Sequence, residues 1–272
     1  MKNFYGIAIS QVGYSHLKKG KVCQDSSAYF EDKNYAAIIV CDGHGGDKHF
    51  RSEIGSKFAI NICERAIREL VDGIENYKDL KQLRILLSDF SKYLIYAWRE
   101  CVREHYEQNP FRTEETDRFS LDAISELCIN PQIAYGSTFI LAITYKENLF
   151  IIKLGDGEVR VCMDDDISNP MPINEFQFGR TASLCNSDAA SRIQIDILPI
   201  SKIKSCIIST DGVINSFETV NHFEDFCKTL SNDFVNEELV EFENELAEFL
   251  PSLSERGSGD DVSIAILAHK EE

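Results

Sequence analysis

Three apolar runs of the chain end on the same dipeptide. Ile38-Ile39-Val40-Cys41 leads into Asp42-Gly43, Ile151-Ile152-Lys153-Leu154-Gly155 into Asp156-Gly157, and Ile207-Ile208-Ser209-Thr210 into Asp211-Gly212. Taken singly, Asp-Gly after a strand makes a turn, because glycine takes up positive φ and aspartate bonds its own backbone. Gly155-Asp156-Gly157 fits that reading, lying between two strand-like runs, whereas Asp42-Gly43 and Asp211-Gly212 precede sequence that lacks the pattern of a return strand. A strand end is a stiff mount for a carboxylate, and a neighbouring glycine lets a backbone carbonyl approach the same ligand. Mg²⁺ and Mn²⁺ take oxygen donors of these kinds, and two ions about 3.5–4 Å apart can share a carboxylate and a water. Two further acids are candidates to join the set: Asp25, ahead of the Tyr29-Phe30 run, and Asp260, which with Asp261 precedes the run from Val262 to Ala268.

The elements that must position these acids can be read from apolar periodicity. Strand-like runs cover Phe4 to Val12, Ser27 to Phe30, Tyr35 to Cys41, Ser137 to Tyr145, Leu149 to Leu154 and Glu158 to Met163, then Ile193 to Leu198, Ile203 to Ser209 and Val262 to Ala268. Helical spacing recurs in Phe50, Ile54, Phe58, Ile62, Ala66, Leu70 and again in Leu83, Leu87, Phe90, Leu94, Ala97, Cys101, each able to bury one stripe. A second pair of helices is expected around His222 to Leu230 and Asn236 to Leu250, with acidic outer faces, and a short one at Leu121 to Leu127. Blocks of strands separated by pairs of helices predict an α+β fold with helices outside packed sheets. The irregular span from Asp164 to Ala190 reads as a mobile surface loop or lid. No repeat or linker divides the chain, so residues 1–272 are expected to form a single domain.

Composition narrows the partners. Against 28 Lys and Arg stand 45 Asp and Glu, a net charge of -17, which repels polyanions and leaves no basic run longer than Lys18-Lys19-Gly20-Lys21 for a phosphate backbone. Nucleic acid and anionic membranes are therefore not expected partners. The 9 cysteines have no close metal-ligand spacing, and several lie in apolar runs where a free thiol packs as a small hydrophobe, as Cys41 does beside Val40. With neither a signal-peptide core nor a long uncharged apolar stretch, the expected location is the cytoplasm.

Taken in chain order, Gln24-Asp25, Val40-Cys41-Asp42-Gly43-His44-Gly45-Gly46, Gly136-Ser137-Thr138, Leu154-Gly155-Asp156-Gly157, Ser209-Thr210-Asp211-Gly212-Val213 and Asp260-Asp261-Val262-Ser263 resemble the PP2C-like (PPM) family of metal-dependent protein serine/threonine phosphatases, in its bacterial branch. The resemblance spans nearly the whole chain and implies a central antiparallel β-sandwich flanked by pairs of α-helices. It implies two Mg²⁺ or Mn²⁺ ions, with Asp42 bridging, Asp211 and Asp260 as carboxylate ligands and the Gly43 carbonyl as a further donor, and a weaker third ion held by Asp156 beside Asp211. Asp25 would hold metal-bound water, and His44 would be the general acid that protonates the leaving seryl or threonyl oxygen. Imidazole titrates near neutrality and suits that role. The alternative for His44 is a residue that opens a helix.

One position departs from the family. Where many relatives carry a phosphate-binding arginine, five residues before the first acid, this chain has Gly20. His16, Lys18 and Lys21, with Lys19 beside them, are candidates to bind phosphate instead, although lysine offers a point charge rather than a fork, and each lysine alone could equally be solvated surface. The function expected is hydrolysis of phosphoserine and phosphothreonine in phosphoproteins by direct attack of a metal-bridging water. The alternative is a catalytically silent module that binds metal or a phosphorylated partner, and a metal-dependent nuclease is disfavoured by the charge.

Overall fold

The computed structural model describes residues 4–75, 77, 79–164, 166–172 and 181–269. Its strands are β1 (Phe4–Gln11), β2 (Ser26–Asp32), β3 (Tyr35–Cys41), β4 (Phe139–Tyr145), β5 (Asn148–Leu154), β6 (Glu158–Cys162), β7 (Ile167–Ser168), β8 (Gln194–Pro199), β9 (Ser205–Ser209) and β10 (Val262–His269). The helices are α1 (Tyr14–Lys18), α2 (Ser52–Ile74), α3 (Leu80–Gln108), α4 (Thr113–Thr116), α5 (Leu121–Ile129), α6 (Ala189–Arg192), α7 (Asp211–Ile214), α8 (Val220–Asn236) and α9 (Leu239–Arg256). Two antiparallel sheets result, one ordered β1-β10-β9-β6-β7 and the other β2-β3-β4-β5-β8.

Strand alternation explains how both faces of each sheet are buried. On β3, Ala36, Ile38 and Val40 face the other sheet and meet Val159, Ile208 and Ala265, while Ala37, Ile39 and Cys41 face α2 and α3. On the far side α8 and α9 lay Phe223, Leu230, Phe242 and Leu250 against Ile207, Ile264 and Ile266. The layers are therefore helices, sheet, sheet, helices, the α+β sandwich expected from the strand and helix blocks.

Three details differ from the sequence reading. Gly155-Asp156-Gly157 is not a hairpin turn, because β5 and β6 lie in different sheets and the turn crosses between them. Helix α9 runs through Pro251 to Arg256 rather than stopping at Leu250, since buried Leu250, Leu253 and Ser254 hold the last turn in place of the missing N–H bond. Strand β4 starts at Phe139, because Ser137 bridges Gly43 instead. Of the span from Asp164 to Ala190, residues 165 and 173–180 lie outside the described residues, while Met171, Ala182 and Leu184 are buried and anchor the chain on either side.

Candidate metal centre

Antiparallel register gathers the acids. Ser26 pairs Cys41, Val40 pairs Ile140 and Phe139 pairs Leu154, so β2 and β4 begin where β3 and β5 end. In the other sheet Glu158 pairs Ser209, Ser209 pairs Ile264 and Val262 pairs Gln11, which brings the end of β9 to the starts of β6 and β10. All three Asp-Gly dipeptides thus emerge at one end of the sandwich. Carboxylate oxygens of Asp42, Asp156 and Asp211 lie within 4.8 Å of one another.

Each acid is held by its own support. Asp42 is clamped by Thr138, whose hydroxyl accepts from the Asp42 N–H at 3.1 Å and whose N–H donates to the Asp42 carbonyl at 2.8 Å. The next residue must be glycine, because a side chain at Gly43 would start 2.3 Å from the Gln24 carbonyl oxygen. Gly155 sits at φ +125 against Thr138, which only glycine tolerates, and so aims Asp156 into the cluster. Thr181 donates to Asp156 Oδ2 at 2.5 Å, while Oδ1 is buried with no partner. Asp211 opens α7 and accepts from Asn215 Nδ2 at 3.1 Å.

Asp25 is buried beside them and accepts from the Thr210 hydroxyl at 2.8 Å. Asp260 is the exposed member, and its Oδ1 accepts from the N–H of Asp261 at 2.9 Å. Burial raises the Asp42 carboxyl well above the carboxylate range, and the charges of Asp25, Asp211, Asp156 and Asp260 push the same way. Asp25 is raised by burial and by Asp261. Asp211 is pushed up to about 6 by burial and by Asp156 and Asp260. These mutual effects put all five acids in one field, and among the described residues no Lys, Arg or His forms an ion pair with any of them.

Carboxylates this close, with no cationic side chain among them, ionise at a cost in folding free energy that a bound cation removes. An all-oxygen donor set with one orphaned buried oxygen, Asp156 Oδ1, fits Mg²⁺ or Mn²⁺.

His44 borders this cluster, its N–H donating to the Gly136 carbonyl at 3.1 Å and its ring edge-on to His49 at 4.9 Å. Burial and His49 lower its imidazole to about 4, while Asp156 opposes the shift. The ring is therefore neutral at pH 7, unlike the near-neutral acid expected, until an anion bound against it favours the charged form.

The phosphate candidates disperse. His16 is buried, with Nδ1 2.9 Å from Asp261 Oδ1. Lys18 places its ammonium 4.2 Å from the centre of the Tyr14 ring. Lys21 is exposed and faces a cleft beside Gln24, Gly45 and Gly46. The sequence reading missed three supports. Thr138 and Thr210 read as strand residues, and Asp261 as the companion of Asp260. The two acids part just ahead of β10: Asp260 is exposed, whereas Asp261 is buried and accepts from the N–H groups of Gly13 and Gln24, each at 2.6 Å.

The family model described as Protein phosphatase 2C matches residues 12–251. The chain belongs to the protein phosphatase 2C family. That membership makes it a metal-dependent protein phosphatase. Among solved structures it is similar to a bacterial serine phosphatase (15% identity, TM-score 0.62, 99% of both chains covered). It is also similar to the serine/threonine phosphatase Stp1 from Staphylococcus aureus (16% identity, TM-score 0.61, 100% of this chain and 96% of that one). A third is the catalytic domain of the serine threonine protein phosphatase PstP in complex with 2 manganese ions (14% identity, TM-score 0.55, 98% of this chain and 99% of that one). At such identities these likenesses establish the fold. None of the curated proteins matches. No helix among the described residues is long and apolar enough to cross a membrane.

Proposed function

We propose that this protein phosphatase 2C family member removes phosphate from phosphoserine and phosphothreonine in phosphoproteins, by direct attack of water at the carboxylate cluster. The observation that carries this reading is the set of Asp42, Asp156 and Asp211 oxygens within 4.8 Å of one another at the sheet ends. Asp42, Asp211 and Asp260, with the Gly43 carbonyl, are the residues we assign to two Mg²⁺ or Mn²⁺ ions, and Asp156 to a third. The 2 manganese ions of the PstP catalytic domain support the cofactor class. Bound there, the ions lower the pKa of water and offset charge on the phosphoryl oxygens.

The chain's own groups complete the reaction. Asp25, fixed by Thr210, accepts a hydrogen bond from the attacking water and orients it. His44 gains its proton when the phosphate dianion arrives and passes it to the departing seryl or threonyl oxygen. Ligands drawn from both sheets support one catalytic unit over the full chain, and nine free cysteines support a reducing, cytoplasmic setting. The charge of -17 supports a protein rather than a nucleic-acid substrate. The filled acidic positions count against a catalytically silent module, the reading that the missing arginine at Gly20 would otherwise suggest.

The test is hydrolysis of an aryl phosphate and of phosphoserine peptides with Mn²⁺. Turnover is expected with metal, none with chelator, and none in Asp42→Asn. A folded, metal-loaded protein inert on both substrates would refute the reading.

A further inference from the structure

A side chain at Gly20, where an arginine is missing, would meet nothing within 4 Å, so that position contributes no grip on a substrate. The cations available lie to one side of it. A cleft of about 250 Å³ has Lys21, Gln24, Gly45, Asp47, Glu53 and Arg118 in its lining, with Gly46 beside them. It adjoins the metal centre, because Gln24 precedes Asp25, Gly45 follows His44, and Gln24 Nε2 donates to the His44 carbonyl at 3.3 Å.

Two independent features of this cleft point to a ligand. The first is charge. Arg51, Arg84, Arg103, Arg160 and Arg192 each hold a carboxylate, as expected in a chain of net charge -17. Among the described residues Arg118, like Arg99 and Arg256, holds none: it donates to the Asp47 carbonyl at 2.9 Å and rests 5.0 Å from the Phe119 ring centre, with no carboxylate on the rest of its fork. Lys21 is exposed and forms no ion pair among the described residues. Asp47 and Glu53 are the opposing charges in the lining; Asp47 is exposed to solvent, and Lys57 and Arg51 partly offset Glu53.

The second feature is an orphaned acceptor. Gln24 is only 8% exposed. Its Nε2 donates to Ser52 Oγ at 2.5 Å as well as to the His44 carbonyl, which fixes the amide orientation, since the reverse would set two oxygens together. Gln24 Oε1 is buried and receives no hydrogen bond. It lies 3.8 Å from where a side chain at Gly45 would begin, an ordinary contact distance, so the Gly45 backbone is its neighbour on the cleft side. A buried acceptor wants an N–H donor, and Lys21 and Arg118, which form no ion pair among the described residues, can take an anion. An extended peptide carrying an acidic side chain supplies both.

We propose that this cleft is the subsite for residues flanking the phosphorylated serine or threonine, that Arg118 and Lys21 select an acidic side chain there, and that Gln24 Oε1 accepts a main-chain N–H of the same segment. This rests on the phosphatase reading above.

The test walks a single Glu, against Gln, through the positions on either side of phosphoserine in matched peptides, and measures kcat and KM for the wild type, Arg118→Ala and Arg118→Lys, with an aryl phosphate as flank-free control. The wild type is expected to favour Glu at one or more positions by roughly five- to tenfold in kcat/KM, carried by KM. Arg118→Ala should erase that preference, Arg118→Lys should keep part of it, and aryl phosphate turnover should be unchanged in both. Equal rates for Glu and Gln peptides in the wild type would overturn the proposal. So would an equal loss on every substrate in Arg118→Ala, aryl phosphate included, which would make Arg118 a ligand of the phosphoryl group. Absence of turnover on all substrates would sink the phosphatase reading instead. Fluorescence anisotropy of the same peptides would then decide the cleft alone: tighter binding of the Glu peptide, lost in Arg118→Ala, supports it, and equal binding overturns it.

Discussion

Replacing Asp211 by asparagine should make the metal-free protein more stable while ending its activity. Burial and the charges of Asp156 and Asp260 hold the Asp211 carboxyl at about 6, against an ordinary value near 3.9. Each tenfold change in the ionisation equilibrium is about 1.4 kcal/mol, so keeping Asp211 ionised in the folded protein at neutral pH costs roughly 3 kcal/mol. Asparagine keeps the size, removes the charge and can still meet Asn215, and solvent reaching the half-buried cluster trims the gain to about 1–3 kcal/mol. For a chain of this length that is a rise in Tm of roughly 2–5 °C. Because the folded pKa lies above the unfolded one, the folded protein binds the extra proton between them. The stability conferred by protonated Asp211 is full below about pH 3.9 and is lost as pH rises through 6. The advantage of Asp211→Asn should therefore be large at pH 7.5 and shrink towards pH 5. Thermal unfolding in chelator at the two pH values measures it, and added Mn²⁺ should reverse the order by stabilising the wild type alone. A metal-free variant less stable than the wild type at pH 7.5, or a gap that does not narrow at pH 5, would refute the argument.

Gly136→Ala places a methyl 2.7 Å from both His44 Cδ2 and His49 Nδ1, so kcat on phosphopeptides should fall at least tenfold while circular dichroism stays native. Arg51 is buried and bonds Glu115 through two nitrogens as well as Asn109 and Pro110 carbonyls and the Tyr135 hydroxyl. Arg51→Met should lower stability by about 3–5 kcal/mol in urea titrations. Asp261→Ala strands the N–H groups of Gly13 and Gln24 and the His16 ring, at a cost of about 2–4 kcal/mol read from the urea midpoint. It should also raise the KM for Mn²⁺, because the segment carrying Asp25 loses its anchor.

Much of the architecture is legible in the chain. Continuous apolar runs such as Tyr35 to Cys41 and period-four stripes such as Ile62, Ala66, Leu70 mark elements that bury apolar faces, and the observed strands and helices fall on them. The acids at strand ends are legible for the same local reason: a stiff run followed by Asp-Gly presents a carboxylate wherever that run finishes. Where those ends meet is decided by register. The cross-strand pairs that align Cys41 with Ser26 and Leu154 with Phe139, and the turn by which Gly155-Asp156-Gly157 crosses between sheets, bring Asp42, Asp156 and Asp211 together from three distant parts of the chain. Support by Thr138 and Thr210, the inward turn of Asp261 and its contact with His16 are likewise matters of which neighbour a side chain meets. Arg118 illustrates the limit most clearly: its segment is polar and unremarkable in sequence, and only packing brings its guanidinium to the cleft beside Gln24. Residue types and periodicity are local properties and determine what each element can offer. Convergence, burial and the electrostatic field of the five acids arise from distances across the fold, and the tertiary structure alone decides them.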